Sequence, residues 1–140
     1  MTHVRCYRPS MDTYRISEAA RLLGVSDDTV RRWVDTGVLP STGDSPARIP
    51  GDALAAHAVE LARAAADPTD VLSSARNRLV GLVTRVQVDG VMAQVDIQAG
   101  PHRVVSLLSA ESVRELALEP GSLAVAVIKA TNVIVEIPKG

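Results

Sequence analysis

The chain has 140 residues, a formal net charge of −1, one cysteine (Cys6) and only three aromatic side chains other than histidine, Tyr7, Tyr14 and Trp33. That composition leaves room for one domain or two small ones with cores of Ala, Val, Leu and Ile, and gives no bulk electrostatic pull toward nucleic acid. It excludes an internal disulfide framework and a Cys-rich zinc site. No apolar run approaches the ~20 residues that span a bilayer, and there is no signal-peptide pattern, so a cytoplasmic protein without a membrane partner is expected.

Residues 1–13, with Pro9 and a second Met at 11, read as a flexible N-terminus. Order is expected from Tyr14. Ser17 is a candidate N-cap with Glu18 in the first turn, and Ile16, Ala19, Ala20, Leu22 and Leu23 form a short apolar stripe ended by Gly24. Ser26 then caps a second helix running to Asp35, closed by Gly37 and barred from extension by Pro40. Two short helices joined by a tight glycine turn make a helix-turn-helix. On the second helix Val30, Trp33 and Val34 share the packing face, which leaves Thr29, Arg31 and Arg32 toward solvent or a partner. Arginines near a helix N-terminus suit guanine edges or phosphates in a major groove. Residues 1–72 hold eight arginines against ten acidic groups, a net of −2, so a DNA-binding surface must concentrate its positive charge on one face.

The stretch Arg15–Ser26, followed by Thr29-Val30-Arg31-Arg32-Trp33 and Gly37-Val38-Leu39-Pro40, resembles the MerR/excisionase-like winged helix-turn-helix over residues 14–66. The resemblance implies double-stranded DNA as partner, with Ser26, Thr29, Arg31 and Arg32 on the reading helix, Arg15 beside it, and Ser41–Arg48 as the wing. That wing contributes a single basic group, Arg48, so paired copies are expected to act together. The Ala- and Leu-rich segment Asp52–Ala66 reads as a helix with Leu54, Ala58, Leu61 and Ala65 on one side, either covering the small domain or mediating dimerisation. His57 within it has no ligand partner at helical spacing, so no metal site is expected. Residues 67–72 form a linker around Pro68.

From Leu79 the hydrophobic period changes to two. Leu82, Val86 and Val88 alternate with Arg85, Gln87 and Asp89; Asp89-Gly90 turns the chain; Val91, Ala93, Val95 and Ile97 then alternate with polar residues. Strands follow at 102–108, 123–129 and 133–137, with a short helix capped by Ser109 between the first two of these. The expected fold class is therefore α+β in two domains: an N-terminal winged helix-turn-helix and a C-terminal five-stranded OB-like β-barrel with one short helix. The absence of Phe, Tyr and Trp after residue 78 argues against single-stranded nucleic acid on that barrel, which needs stacking rings.

The neutral donors Ser73, Ser74, Asn77, Ser109, Ser112 and Thr131, with the cation Lys129, suit a tetrahedral anion held by several short hydrogen bonds; turn and cap roles explain the same residues equally well. Ser74-Ala75-Arg76-Asn77-Arg78-Leu79, Ser109-Ala110-Glu111-Ser112 and Ile128-Lys129-Ala130-Thr131-Asn132 resemble a Mop/TOBE domain, the molybdate-binding fold of molbindins, over residues 73–138. The resemblance implies molybdate or tungstate as ligand, with no catalytic cofactor. It nominates Ser74, Ala75, Arg76 and Asn77 from one subunit and Lys129, Ala130 and Thr131 from another, and adds Ser109 and Ser112 to the candidates. It also implies a homo-oligomer, dimer to hexamer. Joined to the first half, this makes an oxyanion-responsive transcription regulator the leading expectation, with an oxyanion storage protein as the alternative. No metal cluster, nucleophile–base pair or phosphate loop points to an enzyme.

Overall fold

The computed structural model describes residues 12–63 and 65–139, and these divide into two compact units, one ending at Arg63 and one beginning at residue 64. Residues 1–11, most of the expected flexible N-terminus, lie outside the described residues. Thr13 is already structured.

The first unit runs β1 (Thr13–Arg15), α1 (Ile16–Leu23), α2 (Asp27–Asp35), β2 (Arg48–Pro50) and α3 (Gly51–Leu61). β1 and β2 pair antiparallel, with Tyr14 opposite Ile49. The first helix starts two residues earlier than Ser17 suggests. Arg15 takes the N-cap position in extended conformation, and its N–H donates to Glu18 Oε2 at 3.1 Å, so Ser17 lies inside the first turn. Ser26 does cap α2: its hydroxyl accepts the Thr29 N–H at 3.2 Å. Gly24, at φ 68°, supplies the left-handed residue that lets α1 end and the chain turn into α2. The core is Ala19, Ala20, Val30, Leu39, Ile49 and Leu54, with Trp33 and Val34 packed against it, as the helical spacing of α2 requires.

The third helix is shorter than its sequence suggests. It stops at Leu61, and Val59 is 77% exposed. Among the described residues just beyond Leu61, Ala62, Arg63, Ala65 and Ala66 are exposed, so none anchors a further turn, and an unpacked Ala-rich segment is only marginally helical in water. Its buried side chains are Leu54 and His57. The imidazole stands edge-on to Trp33, ring centroids 4.5 Å apart, so this lone histidine is a core group of the helical unit.

The second unit is a curved antiparallel sheet in the order β5-β4-β3-β6, formed by β3 (Asn77–Asp89), β4 (Met92–Ala99), β5 (His102–Ser109) and β6 (Leu123–Ile128). Helix α4 (Ala110–Glu115) follows β5. Ala93, Val95 and Ile97 of β4 face inward with Val83 and Val113, which matches the alternation in the sequence. In β3 the alternation changes phase. Thr84 is an extra residue between the pairs Val83–Ile97 and Arg85–Asp96, so Val83 is buried whereas Leu82 is 52% exposed. A bulge of this kind hides one residue from a period-two reading. Gly81 allows the close approach of strands there, since a Cβ would stand 2.4 Å from the Gln98 carbonyl oxygen. Pro120 and Gly121 (φ 96°) form the turn before β6, closed by the Ser122 N–H donating to Glu119 O at 2.9 Å.

Four strands pair in this sheet, one fewer than the sequence suggests. Residues 133–137 form no strand and have no ladder partner, with Ile134, Val135 and Ile137 at least 83% exposed. β5 and β6 are both edges, and between them opens an apolar cleft of about 650 Å³ lined by residues including Val104, Leu108, Leu118, Val125 and Val127.

Candidate functional site

The register of β3 against β6 decides the geometry of the anion candidates. Asn77, the first residue of β3, lies opposite Ile128, the last of β6, and its side-chain amide donates to Ile128 O at 3.2 Å. The chain therefore brings the Ser74–Asn77 and Lys129–Thr131 segments to the same end of the sheet. Ser73 shapes the first segment, its hydroxyl accepting the Ala75 N–H at 3.1 Å. Ser74 and Arg76 are exposed, as are Lys129, Ala130 and Thr131. Among the described residues neither Arg76 nor Lys129 enters an ion pair.

Beyond Lys129 the chain makes one 3-10 turn, Ala130–Asn132, closed by the Asn132 N–H donating to Lys129 O at 2.8 Å. The N–H groups that open such a turn have no acceptor inside it. The result is an exposed rim with two cations, two hydroxyls and backbone donors, and among the described residues no group of three or more His, Cys, Asp or Glu is placed to hold a metal ion. This chemistry fits an oxyanion, which is bound by donors.

Ser109 and Ser112 sit elsewhere. Ser109 pairs with Met92, which in turn pairs with Asp89, at the opposite end of β3 from Asn77. A 13-residue strand rises by roughly 40 Å if straight, so within one chain these serines stand apart from the rim. Their hydroxyls are also engaged: Ser109 Oγ accepts the Ser112 N–H at 3.0 Å and donates to Ser112 Oγ at 2.8 Å, capping α4.

In the helical unit Arg31 and Arg32 are exposed on α2, with Arg31 paired to Asp28 at 3.0 Å. Thr29 is half-buried and its hydroxyl is bonded to Ser26 Oγ at 2.8 Å. Arg15 is exposed. Arg48 is committed internally: its Nε donates to Thr13 Oγ1 at 2.7 Å and its Nη2 to Thr13 O at 2.8 Å. The one arginine of the wing thus holds β2 to β1.

Sequence reasoning passes over one cluster. Arg78 Nε donates to Asp67 Oδ2 at 2.7 Å, and its Nη2 donates to Thr69 Oγ1. The Arg78 hydrogen bond, then those from the Thr69 hydroxyl and N–H, hold the Asp67 carboxyl well below the usual carboxylate range. The nearest signal was Asp67-Pro68-Thr69, which reads as a linker; only the fold shows that it is tied back to β3.

A helix-turn-helix unit followed by an OB-like sheet unit with a donor-rich rim defines a two-part α+β protein. Its parts have relatives. Residues 13–58 match the helix-turn-helix domain family and residues 73–135 the TOBE domain family. A probable molybdenum-pterin-binding protein of Haemophilus influenzae is 45% identical over 65 residues, 46% of this chain and 94% of that protein. Molybdenum-pterin-binding protein 3 of Clostridium pasteurianum is 40% identical over 63 residues, 44% of this chain and 93% of that one. Among solved structures, a molybdate-binding protein from Sporomusa ovata shares 30% identity at a TM-score of 0.46, covering 48% of this chain and 100% of its own. The chain belongs to the TOBE family of the molybdenum-pterin-binding proteins and carries a helix-turn-helix domain ahead of the TOBE domain.

Proposed function

We propose that this protein is a cytoplasmic, molybdate- or tungstate-responsive DNA-binding transcription regulator. The observation that most supports this reading is the Asn77–Ile128 contact, at the junction of the Ser74–Asn77 and Lys129–Thr131 segments, on a chain that also bears a helix-turn-helix. A tetrahedral dianion at that rim accepts from the Ser74 and Thr131 hydroxyls, the Arg76 and Lys129 cations and the turn N–H groups. Charge-assisted hydrogen bonds of this kind are about twice as strong as neutral ones.

The rim is open to solvent in a single chain, so holding a dianion away from water calls for a covering surface. The unpaired edges of β5 and β6, the apolar cleft between them and the exposed 133–137 segment favour a second copy as that cover. The oxyanion then lies at subunit interfaces, and association brings two DNA-reading helices together. Ser26, Thr29, Arg31, Arg32 and Arg15 contact double-stranded DNA, while Arg48 acts through the β1–β2 pairing. Regulation follows if the anion prefers one arrangement of the oligomer over another.

Two observations favour a second reading, intracellular oxyanion storage with little DNA binding: Arg48 is occupied and Arg31 is paired with Asp28. Footprinting with and without molybdate, alongside native mass spectrometry, separates the two. A molybdate-dependent footprint together with bound oxyanion supports regulation. Bound oxyanion with no sequence-specific footprint in either condition supports storage, and binding of a molybdenum-pterin but not of molybdate overturns the oxyanion assignment.

A further inference from the structure

The segment carrying Ser73–Arg76 is a loop whose two ends are tied. At its C-terminal end Asn77 enters the sheet and bonds Ile128 O. At its N-terminal end the chain is held through Asp67 and Thr69, which Arg78, eleven residues further on than Asp67, grips with the Nε and Nη2 donors of its guanidinium. Thr69 completes a closed triangle: it receives the Arg78 Nη2 donor and gives its own hydroxyl and N–H to Asp67 Oδ1. The Asp67 and Arg78 side chains are 31% and 24% exposed, and the contact faces solvent. Arg78 follows Asn77 directly, and it pairs through its backbone with Val127 on the strand that leads into Lys129. One residue therefore joins the base of the first donor segment, the strand carrying the second, and the stretch of chain that arrives from the helix-turn-helix unit.

We infer that Arg78 is a positioning residue for the oxyanion rim, which through its hold on Asp67 and Thr69 closes the 67–78 loop around the donors before ligand arrives. The inference rests on the oxyanion reading of the rim. The physical reason is preorganisation. A loop free to sample many conformations must lose that freedom when the anion binds, and the loss is subtracted from affinity; a loop already closed has less to lose. Arginine is suited to the task because its planar fork holds two acceptors in a fixed relation, which lysine's single ammonium does not. The clamp stays ionised into acid, since the same contacts depress the Asp67 carboxyl. Arg78 itself donates to protein acceptors and is distinct from Arg76, which is exposed and unpaired among the described residues.

The test uses the full-length chain, sodium molybdate as probe, and the variants Asp67→Asn, Thr69→Val, Arg78→Lys and, as conservative rescue, Asp67→Glu. Molybdate titration calorimetry is expected to show weakening by about three- to tenfold for Asp67→Asn and Arg78→Lys, less for Thr69→Val, and recovery in Asp67→Glu. Amide hydrogen exchange of the ligand-free protein is expected to be faster at Ala75–Asn77 in Asp67→Asn, with the β4 core amides unchanged. Wild-type binding with unchanged affinity in Asp67→Asn and Arg78→Lys overturns the positioning role and leaves the oxyanion reading standing. If wild type binds no molybdate, that reading fails instead; the exchange experiment still decides the clamp, and unchanged exchange at Ala75–Asn77 overturns it.

Discussion

In the helical unit Leu39, Ile49 and Val30 are fully shut away from water by neighbours in the same unit, whereas in the sheet unit Ile134, Val135 and Ile137 stand at least 83% exposed beside two unpaired strand edges. The first unit completes its core from short helices and a two-stranded wing. The second has a core of Val83, Ala93, Val95, Ile97 and Val113 but leaves an open apolar seam. Free strand edges and an unpaired apolar segment to spare favour association through the sheet unit, whereas the exposed apolar side chains of the helical unit, Leu22, Val38 and Val59, stand outside its closed core.

The largest expected effect comes from removing the spare segment. Truncation after Asn132, or the double change Ile134→Asp and Val135→Asp, is expected to abolish self-association in sedimentation velocity while the helical unit keeps its circular dichroism. An unchanged oligomer would break the comparison. Next is Leu39→Ala, which removes a fully buried side chain of the closed core and is expected to cost about 2–5 kcal/mol in chemical denaturation of that unit, leaving the oligomer intact. The counterpart in the sheet unit is Gly81→Ala. Its Cβ meets backbone rather than a flexible side chain, so a loss of about 1–3 kcal/mol is expected, read as a lower melting temperature.

Smaller still is the effect of Arg32→Ala on DNA affinity, expected to flatten the salt dependence of binding by about one unit if Arg32 contacts a phosphate. Smallest is the acid response of Asp96. Its carboxyl is held below the usual range by hydrogen bonds from Gln94 and Arg103. Since the folded value lies below the unfolded one, near about 4, its contribution is present above that pH and is lost as pH falls through the folded value. Arg103→Ala is therefore expected to shift acid unfolding of the sheet unit to higher pH in a circular dichroism titration.

Much of this was legible in the chain. The Ser26 cap, the Gly24 and Gly37 stops and the Val30-Trp33-Val34 face are local rules, and each governs its few residues in the fold. The β4 alternation is equally local. Ser17 is not the cap: the helix starts at Ile16 with Arg15 in the N-cap position, where its N–H donates to Glu18. Leu82 was misread because a bulge at Thr84 shifts the phase, and a bulge is a relation between two strands.

The donor rim divides in the same way. The sequence by itself determined which groups exist: Ser74, Arg76 and Asn77 in one run, Lys129 and Thr131 in another. Only the tertiary structure sets Asn77 against Ile128, makes Ser109 and Ser112 the cap of a helix at the far end of β3, commits Arg48 to Thr13 and ties Arg78 to Asp67. The physical reason is sequence separation. Caps, turns and periodicity are set by neighbours a few residues away, while the Arg78–Asp67 and Asn77–Ile128 contacts join residues eleven and fifty-one positions apart, and only the folded sheet brings those together.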